Sequence, residues 1–356
     1  MSSLRLDPRT PLSELHVHLG AAVTPAIMWG IAHAQGIKLP TKDYWAFRDL
    51  ITVGRRRRGF DAYLQLFHWT ELIQSSPLAV ERSVYEVIGG AYRKNNVTRL
   101  ELRFNPMKRN RGGEQDVDHI IAAAVRGMDR AVLEYPNARA GLILCLDRSF
   151  SRELNEIVAT KAISWRSRGV VAIDIAGPVT EGFRFSDYAE IYAMCRRAGL
   201  GLTVHAGETG GAEEVREALE ALEPDRIGHG VRGAEDPSVI AMLRERGTVL
   251  EICPTSNLQT GVLRTHNDLR RVIRTFVDND VRFTISTDGP EMLRLYLRDE
   301  LNMLMRHGIL SLEEVQHAIL VGEEAGFLGE EGRGAPQRVR AVDRNGGAPV
   351  SSKASR

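Results

Sequence analysis

Eight short runs of apolar and β-branched residues recur along this chain of 356 residues, with helical stretches between them. The runs cover residues 14–19, 97–104, 141–147, 170–177, 202–208, 226–230, 248–254 and 282–290. Segments 117–135, 152–168, 213–222, 238–246 and 268–279 carry helical periodicity and good helix formers. Strand–helix alternation of this kind requires parallel strands joined by crossover helices. Eight such units predict an α/β fold closed as a (β/α)8 TIM-type barrel. An open doubly wound sheet is the competing arrangement. It more often shows a glycine-rich phosphate turn after the first strand, and Gly20-Ala21-Ala22 is not one.

Two regions depart from the repeat. Residues 21–96 are too long for one crossover helix, and we read them as a helical lid inserted after the first strand, over the barrel mouth. From residue 329 the chain is rich in Gly, Pro, Ser and Arg, which predicts a disordered tail over 329–356 behind a single barrel domain over 1–328. Charge is balanced, 47 Lys+Arg against 46 Asp+Glu, so nothing drives the chain toward nucleic acid or an anionic membrane. The three cysteines form no C-x-x-C pair, residues 1–20 hold no apolar leader and no apolar run spans a bilayer. A small-molecule substrate and a cytoplasmic location are expected.

In a barrel, side chains at the C-terminal ends of the strands converge on one mouth. Four histidines fall in or at the ends of the predicted strands: His16, His18, His205 and His229. Residues i and i+2 of a strand share a face, so His16 and His18 point the same way, opposite to Leu15, Val17 and Leu19. His205 is followed by two small residues and then Glu208, a carboxyl placed for acid–base work beside a metal. His229, between Gly228 and Gly230, suits a ligand, a general base or a simple turn. Asp288 ends the last strand, in a D-G pair that also makes ordinary turns. Together these residues offer three imidazoles and a carboxylate to one ion, with Glu208 and His229 left for proton transfer. The N/O donor set suits zinc, with iron or manganese as alternatives.

The ordered motifs HVHL, VHAGE, RIGHG, EICPTSN and STDGP resemble the adenosine deaminase family of the amidohydrolase superfamily, over roughly residues 12–327. The resemblance implies a (β/α)8 barrel and hydrolytic deamination of an adenine-type ring with release of ammonia. It implies one zinc ion per chain on His16, His18, His205 and Asp288. Glu208 then matches the proton donor to N1 of the purine, and His229 the residue that activates the attacking water, which Asp288 also orients. Gly177 matches the glycine whose backbone amide reaches the purine, and Phe60 the apolar residue on the lid.

Two positions depart from the family pattern. Gly20 stands where relatives carry an acid on the ribose side, and Gly289 where they carry a second aspartate that bonds N7 of the purine. Metal and proton-transfer positions are kept, so the expectation is conserved chemistry with altered recognition. Arg55, Arg56, Arg57 and Arg58 fall in the expected lid; a solvated loop explains them plainly, and recognition of an anionic substituent is the sharper reading. Arg103, Asn105 and Pro106 are expected to face the mouth, and Ser256 and Asn257 to support the site by hydrogen bonds. Two other functions stay open at this stage: hydrolysis of another C–N or ester bond at the same site, and a catalytically silent nucleoside-binding homologue.

Overall fold

The structure is a computed structural model that describes residues 5–54, 59–110 and 116–329. The arginines at 55–58 and residues 330–356 of the expected tail lie outside the described residues. Eight parallel strands run in the order of the chain: β1 Leu12–His18, β2 Val97–Phe104, β3 Arg139–Asp147, β4 Val170–Ala176, β5 Gly201–Ala206, β6 Arg226–His229, β7 Val249–Ile252 and β8 Phe283–Ile285. This is the (β/α)8 arrangement. The ring closes just beyond β8, where Asp288 bridges to β1: its N–H donates to the His16 carbonyl and its carbonyl accepts from the His18 N–H, each at 2.9 Å.

The outer helices begin where the sequence supplies caps. Ser76 and Ser151 accept from the amides of Ala79 and Leu154, and capping boxes open the helices after Thr265 and Ser311. The apolar faces of these helices pack on the outward faces of the strands in one large core. Within 21–96, the Pro77–Asn95 helix packs as an outer helix beside Asp118–Glu134. The shorter helices Phe60–Leu64 and Phe67–Ile73 contribute Phe60, Tyr63, Leu64, Phe67, His68 and Glu71 to the wall of the cavity at the mouth. Tyr63 and Leu66 join Ala21, Val53, Met292 and Leu293 in a separate small core that ties this segment to the chain after β8.

The barrel interior is charged rather than apolar in its middle. Glu101, Arg226, Glu251, Arg103 and Asp174 form a continuous chain of ion pairs, with contacts of 2.6, 2.7, 2.7 and 2.9 Å. All five side chains are at most 1% exposed. Below it, Phe327 caps the stack with its ring 3.8 Å from the Arg226 guanidinium, and Arg226 Nη1 donates to the Ala325 carbonyl. Burial alone would raise the carboxyl of Glu251, but Arg103 and Arg226 outweigh it and hold it at about 2. Among the described residues no helix is long and apolar enough to cross a membrane.

Two outcomes follow for stability. Arg226→Met strips buried Glu101 of its ion-pair partner and leaves Glu251 with Arg103 alone, and is expected to cost about 3–5 kcal/mol, against within about 0.5 kcal/mol for the exposed Arg244→Met, both read by chemical denaturation. Because Glu251 titrates lower in the folded chain than its ordinary 4.5, its stabilisation is complete above that value and is lost as pH falls through about 2. Equal stability at pH 3 and pH 6 contradicts this.

Candidate metal centre and substrate cavity

The C-terminal ends of the strands surround a cavity of about 370 Å³. His16 and His18 leave β1 on its inward face, as the i, i+2 spacing predicts, and His205 comes from β5. His18 Nε2 and His205 Nε2 lie 3.2 Å apart. Asp288 Oδ1 lies 3.5 Å from His18 Nε2 and 4.0 Å from His16 Nε2. Bonds of about 2.0–2.1 Å in a tetrahedron separate ligand atoms by roughly 3.4 Å, so this spacing suits one shared ion. His16 Nε2 is fully buried without a hydrogen-bond partner, as a donor atom awaiting an ion is. Burial holds His16 and His18 well below the ordinary histidine range, with Arg103 adding to the effect on His16 and His205 on His18. They therefore stay neutral, the form that binds metal. His16, His229 and Cys253 form a second close group, but burial pushes the Cys253 thiol up, away from the thiolate that ligation needs.

Carboxylates behind the histidines fix their rings. Glu251 Oε2 accepts from His16 Nδ1 at 2.7 Å, and Asp174 Oδ1 is 3.1 Å from His205 Nδ1. Each contact occupies Nδ1 and turns Nε2 toward the site. Both acids belong to the interior chain of ion pairs, so the barrel core and the donor set are one structure. On the far side, Ser256 Oγ donates to Asp288 Oδ2 at 2.6 Å and Tyr63 Oη at 3.3 Å, leaving Oδ1 for the histidine side. Glu14 holds the neighbouring Thr287 by its N–H and hydroxyl at 3.1 and 3.0 Å.

Asp288 and His229 both hold left-handed backbone angles, φ 64° and 61°. Such conformations cost about 1–2 kcal/mol in a non-glycine residue and persist where surrounding structure imposes them. At His229 the flanking glycines make this possible: Gly230 is also left-handed, and a Cβ on Gly228 would stand 2.8 Å from His16. Asn257 Nδ2 donates to His229 Nδ1 at 3.0 Å, so the ring's proton sits on Nε2, 3.6 Å from Glu208 Oε2. Burial, then the charge of Asp288, pushes the Glu208 carboxyl well above the ordinary range, which favours its protonated form.

Of the residues singled out in the sequence, Gly20, Phe60, Gly177, His18, His205, Glu208, His229 and Asp288 line the cavity; His16 lies beneath it, and Gly289 is absent from its wall. Gly177 is left-handed at φ 93°, and a Cβ there would lie 2.9 Å from Asp147 Oδ2. Arg103 reaches the floor of the cavity, but its guanidinium is spent on Asp174 and Glu251. Sequence reasoning missed the orienting roles of Asp174, Glu251 and Glu14. Their signal was present as charged residues inside apolar strand runs. It also missed three ion pairs at the wall: Lys108–Asp147 at 2.5 Å, Arg148–Glu214 at 3.2 Å and the looser Arg109–Glu71 at 3.9 Å.

The adenosine deaminase family model matches residues 11–336. An adenosine deaminase from Clostridium perfringens strain SM101 is 30% identical over 321 residues, 90% of this chain and 95% of the relative. Among solved structures, adenine deaminase from Arthrobacter aurescens superposes with a TM-score of 0.80 at 20% identity, covering 90% of this chain and 95% of that one. An amidohydrolase from Burkholderia ambifaria with bound Zn gives a TM-score of 0.77 at 22% identity, covering 93% and 91%.

If Glu251 and Asp174 orient the ligands, Glu251→Gln and Asp174→Asn weaken metal binding by about 10–100-fold in chelator competition. Unchanged metal affinity in both variants contradicts the assignment.

Proposed function

This chain belongs to the adenosine deaminase family, and on that premise we propose how its cavity performs hydrolytic deamination of an adenine-type nucleoside or derivative. The observation that carries the reading is the convergence of His16, His18, His205 and Asp288 beside Glu208, whose carboxyl burial pushes up. These four residues would hold one zinc ion, the metal that three imidazoles and a carboxylate suit. A divalent ion held there supplies an ionised water as nucleophile near neutral pH.

The chain's own groups do the rest. Glu208 carries its proton because burial disfavours the carboxylate, and it gives that proton to the ring nitrogen that gains electron density as C6 is attacked. His229 presents Nε2–H in this arrangement, so it orients the attacking water by donating to it; taking a proton requires the other tautomer, reached by turning the Asn257 amide. Asp288, raised by burial, accepts from the water on the opposite side. Gly177 and Phe60 both line the cavity; in this reading the Gly177 amide would meet the ring edge and Phe60 would cover the ring from the lid side. Water adds at C6, the proton of the added hydroxyl passes to the exocyclic amine, and ammonia leaves as that oxygen becomes the carbonyl.

With Gly20 and Gly289 in place of two acids, plain adenosine is not the expected best substrate, since each lost hydrogen bond costs about 0.5–1.5 kcal/mol. The three cysteines are buried thiols, which suits the cytoplasm as the working compartment.

Purified protein is expected to release ammonia from at least one of adenine, adenosine, AMP or 6-aminodeoxyfutalosine, or the substituted amine from an N6-substituted adenine, read by the ultraviolet change and an amine assay. Release of an acid from an amide or ester, with neither ammonia nor an amine from any purine, would contradict the reading. Glu208→Gln is expected to lower kcat by about 10²–10⁴-fold with metal retained. Because the protonated form is the active one, the wild-type rate falls as pH rises through the pKa of Glu208, and the residual rate of Glu208→Gln lacks that alkaline limb.

A further inference from the structure

The two glycines at the strand ends are occupied from above. A Cβ on Gly289 would stand 2.7 Å from Tyr63 Oη and 2.7 Å from the Ala21 Cβ. A Cβ on Gly20 would stand 2.9 Å from the Phe67 ring and 3.1 Å from Arg109 Nη2. Tyr63 and Phe67 stand on the two short helices over the mouth and meet edge to face, ring centroids 5.7 Å apart. Tyr63 lines the cavity wall and Gly289 does not.

Tyr63 does more than fill space. It is 4% exposed, and its hydroxyl donates to Asp288 Oδ2, the oxygen that also accepts from Ser256. A carboxylate turns freely about its last bond unless both oxygens are committed. With Oδ2 tied by two donors, Oδ1 is left facing His18 and His16. One of the two donors stands on the short helix Pro254–Gln259 that follows β7 and the other on the lid segment. That segment is anchored to the chain after Asp288 by the small core of Ala21, Val53, Leu66, Met292 and Leu293, and by the Val53 N–H on the Met292 carbonyl at 2.8 Å.

We propose that Tyr63 is a positioning residue for the Asp288 carboxylate, and that Gly289 lacks a side chain because the Tyr63 hydroxyl needs its place. The lid segment and the carboxylate are then set as one unit: a pocket that takes an acid at 289 gives up the Tyr63 contact. The inference rests on the deaminase reading for its kinetic test and on metal geometry for a test that does not need turnover.

The experiment compares wild type, Tyr63→Phe, Gly289→Ala and the double variant on whichever purine is turned over. Tyr63→Phe keeps the ring and its packing. It is expected to lower kcat about 10-fold with KM within about two-fold, as loss of one hydrogen bond to a charged group does. Gly289→Ala displaces the same hydroxyl and is expected to lose about as much. The double variant is expected to stay near 10-fold rather than 100-fold, because both changes break one contact. Unchanged kcat in Tyr63→Phe overturns the proposal, as do losses that multiply, or a KM effect with kcat kept. The second readout is the visible spectrum of the cobalt-loaded protein, in which both single variants are expected to show the same altered bands. Wild-type spectra in both overturn the proposal even where no substrate is turned over or Gly289→Ala folds poorly, since Tyr63→Phe alone then decides. Absence of deamination in the wild type with altered cobalt spectra would instead overturn the functional reading and leave the positioning role supported.

Discussion

The contact on which this molecule depends is the pair of backbone hydrogen bonds between Asp288 and β1. The Asp288 N–H reaches the His16 carbonyl, and the Asp288 carbonyl receives the His18 N–H. The same two bonds close the barrel and set three of the four proposed metal ligands side by side. Closure and ligand spacing are thus one geometric fact. The left-handed backbone of Asp288 is the local cost, held by its neighbours.

Behind the histidines, charge alternates down the barrel axis. Asp174, Arg103, Glu251, Arg226 and Glu101 lead from the histidines to the Phe327 plug. A buried ion-pair chain is weak evidence for stability by itself, since apolar packing often does as well. Here its upper members have a second task, because Asp174 and Glu251 fix the rings of His205 and His16. An apolar interior would leave those imidazoles free to turn. Retention of charge in the core is explained by the orientation it imposes at the mouth.

The strand count, the closed parallel barrel and the convergence of His16, His18, His205 and Asp288 were legible because each rests on local periodicity: two for the strands, near 3.6 for the helices. The supporting parts were not, because they depend on packing between distant segments. Glu251 reads as one acid inside EICPTSN until β7 is placed behind His16. Arg103 was expected at the mouth, yet its inward direction on β2 sends it to the floor and onto two carboxylates. The motif departures at 20 and 289 read as lost contacts, whereas in space each position is covered by an aromatic residue of the lid segment. No spacing rule links Tyr63 to Gly289 across the chain.

The central claim is that three imidazoles and one carboxylate from distant strands bind a single ion. X-ray absorption at the metal edge of the purified protein tests it most directly. The expected result is about one metal per chain, with three nitrogen donors at about 2.0–2.1 Å and oxygen completing the shell. In Asp288→Ala the carboxylate oxygen is expected to be replaced by solvent while the imidazole signal persists. A shell without imidazole, or one dominated by sulfur, would contradict it.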